Sequence, residues 1–176
     1  MRGDLQVITN AQVSRPVRIA ASATRFEVGE PLHSLAASTS GVADVNTYVL
    51  AAADTPVIGT HRFGGVAQEG AEPKNSTDTV TAHTTHVAQP VPNIGRIRGK
   101  AETVASIDTA SELLGVIGDY TLIDYNSTGG TDGGELYTIK DAAADTSGLE
   151  IVEGNVAKGL LEVVVDNNAY RHDFAT

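Results

Sequence analysis

The stretch from Gly118 to Lys140 constrains the fold more than any other. Gly-Asp-Tyr-Thr-Leu-Ile-Asp-Tyr at one end and Glu-Leu-Tyr-Thr-Ile-Lys at the other alternate and are rich in aromatic and β-branched residues. Between them runs Asn-Ser-Thr-Gly-Gly-Thr-Asp-Gly-Gly, almost pure turn chemistry. Strand side chains point alternately to the two faces of a sheet, and glycine supplies the positive φ that a reversal needs. The pattern predicts a β-hairpin in a mainly β protein. No reaction is spelled out by these residues.

The rest of the 176-residue chain agrees with that class. Eighteen glycines and six prolines are scattered along it, which suits many short strands joined by turns. Aromatic residues make up 5% and tryptophan is absent, so the core has to come from Val, Ile, Leu and Ala. Thr, Ser and Asn form much of the polar surface. Hydroxyl-rich, lysine-poor strands are common where chains pack on chains. There is no cysteine, which removes disulfides, thiolate nucleophiles and Cys-based metal sites from consideration. No apolar run is long enough for a membrane span, and Met1–Asn10 has no continuous apolar stretch of the secretory kind.

The net charge of −10 is unevenly placed. Up to Lys100 nine basic residues face eight acidic ones; beyond it three (Lys140, Lys158, Arg171) face fourteen. The acidic half is repelled by phosphate backbones, so no direct nucleic-acid binding is expected of it. A near-neutral part joined to an acidic part suits a protein that docks by one end.

Residues 1–14 alternate weakly and read as an N-terminal arm, a terminus without order of its own or one that orders on a neighbour. Residues 15–176 read as the β-rich domain, with a polar boundary or insertion loop at 69–78. Arg15–Glu30 alternates as strand, with a second strand started by Phe26 and Val28 and stopped by Gly29-Glu30-Pro31; strands are also expected at Asn46–Ala51 and as two short pieces, Val57–Gly59 and Gly65–Ala67, on either side of Thr60–Gly64. Leu32–Ala43 reads as loop. Thr79–Val91 reads as an edge strand or crossing closed by Pro90 and Pro92. Ile94–Ile107 is the longest strand pattern: Ile97, Gly99, Ala101 and Thr103 face one way, and Arg96, Arg98, Lys100 and Glu102 the other. That basic stripe is a solvated face or a docking stripe for an acidic neighbour, including the acidic half of another copy. Asp108–Gly115 is the one convincing helix, with Asp108 or Thr109 as cap, Glu112 near its third position and Gly115 placed to end it. Leu149–Glu153 and Gly159–Asp166 are strands, and the second, the most hydrophobic, belongs centrally.

Candidate sites are few. Asp124, Asn126, Thr128, Gly129, Asp132 and Glu135 overlay the spacing of an EF-hand calcium loop. The flanks are strands, Thr131 stands where an apolar residue is usual, and Gly-rich Asx loops arise in hairpins for backbone reasons alone. The loop is therefore read as a turn, and no metal and no cofactor are assigned. His83 and His86 lie three apart, which on a strand sends them to opposite faces, with no third ligand near. Nucleophile elbow, P-loop and dinucleotide fingerprints are all missing. No catalytic residue is assigned, and the chain is not read as an enzyme. Arg2-Gly3-Asp4, Asn75-Ser76-Thr77 and Asn126-Ser127-Thr128 match short adhesion and glycosylation patterns that occur often by chance.

Three stretches carry a resemblance. Val57-Ile58-Gly59 with Phe63–Gly70, Gly95–Glu102 and Ser111–Asp119 resemble parts of the small β-rich head decoration (cement) proteins of tailed bacteriophages. The low-lysine, cysteine-free, Ala/Thr/Gly/Val-rich composition is similar too. The resemblance covers about half of the chain and lies in texture, without one diagnostic motif. It implies a β-barrel or β-sandwich with one or two short helices and an extended N-terminal arm. It implies a homotrimer on the outer capsid surface of the virion, bound to the major capsid protein and stabilising the shell against internal DNA pressure. The family has no catalytic residues to carry over. The chain is longer than the smallest members, which leaves room for an arm or subdomain. The alternatives are a tail or fibre component and, from another class, a carbohydrate-binding β-sandwich, which the lack of tryptophan disfavours. A hydrolase ranks last.

Overall fold

The structure, a computed structural model, describes residues 5–8, 10–19, 28–35, 47–50, 61–70, 83–125, 137–141 and 148–170. In chain order the strands are β1 (Gln6–Val7), β2 (Gln12–Ile19), β3 (Pro31–Leu35), β4 (Thr47–Leu50), β5 (His61–Ala67), β6 (His83–Pro90), β7 (Arg96–Lys100), β8 (Ile123–Tyr125), β9 (Tyr137–Ile139), β10 (Leu149–Asn155) and β11 (Leu160–Val165). One α-helix, α1 (Ala110–Val116), and three short 3₁₀ turns complete the described residues. The protein is mainly β, as its composition and alternation predict.

One sheet has the order β1-β7-β11-β10, antiparallel throughout. The hydrophobic strand β11 lies inside it, between β7 and β10, as expected. The alternation of β7 is the observed one: Ile97, Gly99 and the following Ala101 are buried, while Arg96, Arg98 and Lys100 are half-buried on the other face. Beyond Lys100 the expected strand gives way to a 3₁₀ turn at Val104–Ser106.

Five further strands form a ring of pairings, β2-β4-β3-β5-β6 and back to β2. Two of its seams, β2–β4 and β5–β6, are only two residue pairs long, whereas β2 and β6 pair from Gln12↔Pro90 to Ile19↔His83. The ring therefore resembles two facing layers, β2/β6 and β4/β3/β5, more than an even cylinder. β6 is flanked on both sides and is no edge strand; its Pro90 sits at the end of the ladder, where a missing N–H does least harm.

Other differences have local causes. The segment after Glu30, read as loop, begins with β3, which pairs on both sides and fully buries Leu32; Pro31 takes the first strand position. The short strand expected at Gly65–Ala67 is the end of a longer one, β5, which takes in His61–Gly64, read as its connection, and has a shifted register: Leu32 opposes Gly65 and His33 opposes Phe63. Gly65 has φ +132, and a Cβ there would meet the Ala88 carbonyl at 2.8 Å, so this irregularity is reserved for glycine. Val28 lies in a turn instead of starting a strand. Of the expected arm, β1 pairs with β7, Leu5 is buried, and residues 12–14 belong to β2. The expected strand at Val57–Gly59 and most of the 69–78 loop lie outside the described residues.

The predicted hairpin pairs as β8 and β9: Ile123↔Ile139, Asp124↔Thr138 and Tyr125↔Tyr137. Its first strand is shorter than the pattern. Gly118–Thr121 instead runs along β10, through Gly118 N–H to Ile151 O (2.8 Å), Ile151 N–H to Asp119 O (2.9 Å) and Thr121 N–H to Leu149 O (2.7 Å).

One core joins the layers. Leu5, Phe63 and Val66 pack in one cluster with Ile97, Ile107, Ile139, Leu149, Ile151, Leu161 and Val163. Each such buried side chain contributes about 1.5–3 kcal/mol relative to exposure. Tyr170 ties the last turn to this core. Its ring centroid lies 6.0 Å from that of Phe63, and its hydroxyl donates to the Pro90 carbonyl at 2.6 Å.

Candidate functional site

The densest group of charged side chains lies on the outer face of the β7–β11–β10 sheet. The register sets Arg98 opposite Glu162, and Glu162 opposite Glu153. Two carboxylates directly across a ladder repel each other. Arg96 resolves the conflict, its Nη1 donating to Glu153 Oε2 at 2.6 Å and to Glu162 Oε2 at 3.2 Å. Arg98 takes the other oxygen of Glu162, with Nε at 3.0 Å and Nη2 at 2.5 Å from Oε1. Glu162 is thus buried with both oxygens occupied by guanidinium groups. The Arg96 guanidinium is held above its already high ordinary range, first by its bond to Glu153 and then by that to Glu162.

A shallow cavity of about 140 Å³ opens beside this cluster, lined by Arg98, Glu153, Gly154, Asn155, Lys158, Leu160 and Glu162. The β10–β11 turn forms its rim. The Asn155 side chain accepts from the Lys158 N–H at 3.1 Å, and Gly159 closes the turn at φ +60. The two carboxylates here are bound by arginines. The arrangement is suited to holding strands and to polar contact. Among the described residues no group of three His, Cys, Asp or Glu side chains could hold a metal ion.

The sequence reading found the basic stripe but not what meets it. The acidic partner it allowed for, in another copy, is supplied here within the chain by Glu153 and Glu162. The available signal was the short connection Val156–Gly159 between two strands, which places their glutamates face to face. The calcium-loop residues Asn126, Thr128, Gly129, Asp132 and Glu135 lie outside the described residues; Asp124 belongs to β8. His33, His61 and His83 fall in β3, β5 and β6, and His172 lies outside the described residues. His86 Nδ1 is 3.3 Å from Glu69 Oε2, which also accepts from the Thr85 hydroxyl at 3.4 Å. That trio ties the start of the 69–78 loop to β6.

A second surface feature is apolar. Helix α1 turns Leu113 and Val116 toward the core and leaves Leu114 71% exposed. Ile117 and Tyr120, which follow it along β10, are 40% and 39% exposed. Thr109 and Glu112 form the expected capping box: the Glu112 N–H donates to Thr109 Oγ1 at 3.3 Å, and the Thr109 N–H to Glu112 Oε2 at 3.0 Å. The Thr109 hydroxyl also holds the Glu112 carboxyl below its usual range, and a hydrogen bond shared with Glu112 raises that of Asp108.

No protein-family model, no curated protein and no solved structure matches this chain.

Proposed function

We propose that this chain is a virion structural protein, a capsid decoration or cement protein. It binds the major capsid protein on the outside of the head and associates with further copies of itself. Its action is cohesive, and its localisation is the outer capsid surface. The observation that supports this reading is where the unsatisfied surface lies. The arginines and glutamates of the charged sheet face satisfy one another, whereas Leu114, Ile117 and Tyr120 offer apolar area that water solvates poorly. Such a surface favours adhesion to another protein over conversion of a small molecule. Many copies on a shell add avidity, so each contact is free to be weak. The acidic half of the chain favours a protein surface over nucleic acid as partner.

The test is addition of the purified protein to phage heads that lack decoration, followed by sedimentation and heat challenge. The expected result is co-sedimentation and a higher temperature for DNA release. Heads that sediment without the protein at micromolar concentration would overturn the proposal.

A further inference from the structure

Resting on the self-association in that reading, we infer that the α1 patch of one copy docks on the N-terminal half of β2 in a second copy, head to tail. The two surfaces lie on different parts of the fold. Helix α1 leads into Gly118–Thr121, which hydrogen-bonds along the outer strand β10. Strand β2 follows from β1, the outer strand on the other side. They also differ in chemistry. In sequence the charges nearest Leu114, Ile117 and Tyr120 are Asp108, Glu112 and Asp119, with no basic residue from Ala101 to Ile139, and Glu150 lies across from Tyr120. On β2, residues Gln12–Pro16 are all exposed, Val13 is 55% exposed, and Arg15 shares Val13's face two residues on.

That part of β2 is exposed. Its ladder to β6 begins at Gln12, whereas β4 pairs only with Arg18 and Ile19, so from Gln12 to Val17 one edge is unpaired among the described residues. Another exposed apolar side chain, Ile94 at 62%, lies close by: Gly95 packs against the Ala11 carbonyl. An apolar patch with an acidic rim thus faces an apolar strip carrying an arginine. Attraction between unlike rims fixes the orientation, and like-charged α1-to-α1 pairing is disfavoured. A contact between two different surfaces is heterologous, so each copy keeps one of each surface open until a ring closes.

The test uses two variants, each altered only at exposed positions: Leu114→Asp, and Val13→Asp with Arg15→Glu. Wild type is expected to sediment as a closed oligomer of the 18.2 kDa chain, losing association as salt rises. Each variant alone should sediment as a monomer with an unchanged thermal midpoint. Mixed one to one, they should form a heterodimer, because one intact α1 patch meets one intact β2 strip. A monomeric wild type, an oligomer that survives Leu114→Asp, or a mixture that stays monomeric would each overturn the inference. Head binding is scored separately, so wild type that binds heads while its oligomer survives Leu114→Asp would leave the cement reading standing while this interface fell.

Discussion

Glu162 is the residue on which the charged face depends. Replacing it with Gln keeps the shape but leaves Arg98 facing a neutral amide and Arg96 with Glu153 alone among its glutamate partners on this face. A fully buried ion pair broken in this way costs about 3–5 kcal/mol. Here the Arg96 and Arg98 side chains are 36% and 41% exposed, so water offsets part of the loss. Glu162→Gln is expected to lower stability by about 1–2 kcal/mol, read from the urea midpoint. Replacing both partners, Arg98→Met with Glu162→Leu, should recover most of it, because no charge is then left without its counterpart. Tyr170 carries a pH dependence of the opposite chemical kind. Burial raises its phenol above the ordinary value of 10.0. The folded state therefore holds the proton more tightly than the unfolded state. Its contribution is complete below the unfolded pKa near 10 and is lost as pH rises above it. Tyr170→Phe should cost about 1 kcal/mol at neutral pH, since the Pro90 carbonyl loses its donor. It should also flatten the decline in stability above pH 10, measured by thermal melts across that range.

At the scale of elements, α1 offers a matched pair of glycines. Gly115, expected to end the helix, lies inside it, and a Cβ there would meet nothing within 4 Å. Gly118 is the one that turns the chain, at φ +94, three residues later. Gly115→Ala is therefore expected to stabilise the protein by about 0.5–1 kcal/mol, through helix propensity and a less flexible unfolded chain. Gly118→Ala, equally free of clashes, should destabilise by about 1 kcal/mol or more, because an L-residue is strained at that φ. Equal thermal midpoints for the two variants would contradict this account. The pair also shows what was readable in the sequence. The start of α1 was, because Thr109 and Glu112 satisfy specific N–H groups at fixed spacing. Its end was not, because two glycines three residues apart both qualify, and the choice falls to Gly118, whose N–H bonds to Ile151 on β10. The faces of β7 were legible from alternation against a core. β3 was hidden because its strand character comes from β4 and β5, on either side of a short Pro-Leu-His-Ser-Leu run. The arginine partners were hidden for a related reason: Arg98 and Glu162 are 64 residues apart, and only the sheet order brings them together.

Across the whole molecule, the ring and the four-stranded sheet meet in one cluster, while Val17, Leu32 and Val87 of the ring are buried outside it. Phe63 comes from the ring, yet it belongs to the same cluster as Ile97, Leu161 and Val163 of the four-stranded sheet, and Tyr170 of the last turn lies beside it. A cavity at that position removes contacts from both sides at once. Phe63→Ala is expected to cost about 3–5 kcal/mol, and to lower the whole molecule together instead of loosening the ring alone. Far-UV circular dichroism follows the strands. Tyrosine fluorescence, in a chain with five tyrosines and no tryptophan, follows side-chain packing, including that of the buried Tyr137, and of Tyr170 beside Phe63. Coincident transitions by the two probes, in wild type and variant alike, are the expected outcome. Two separated transitions in the variant would mean that the ring and the sheet fold independently. In that case burial of Phe63 would not couple a neighbour docked on β2 to one docked on α1.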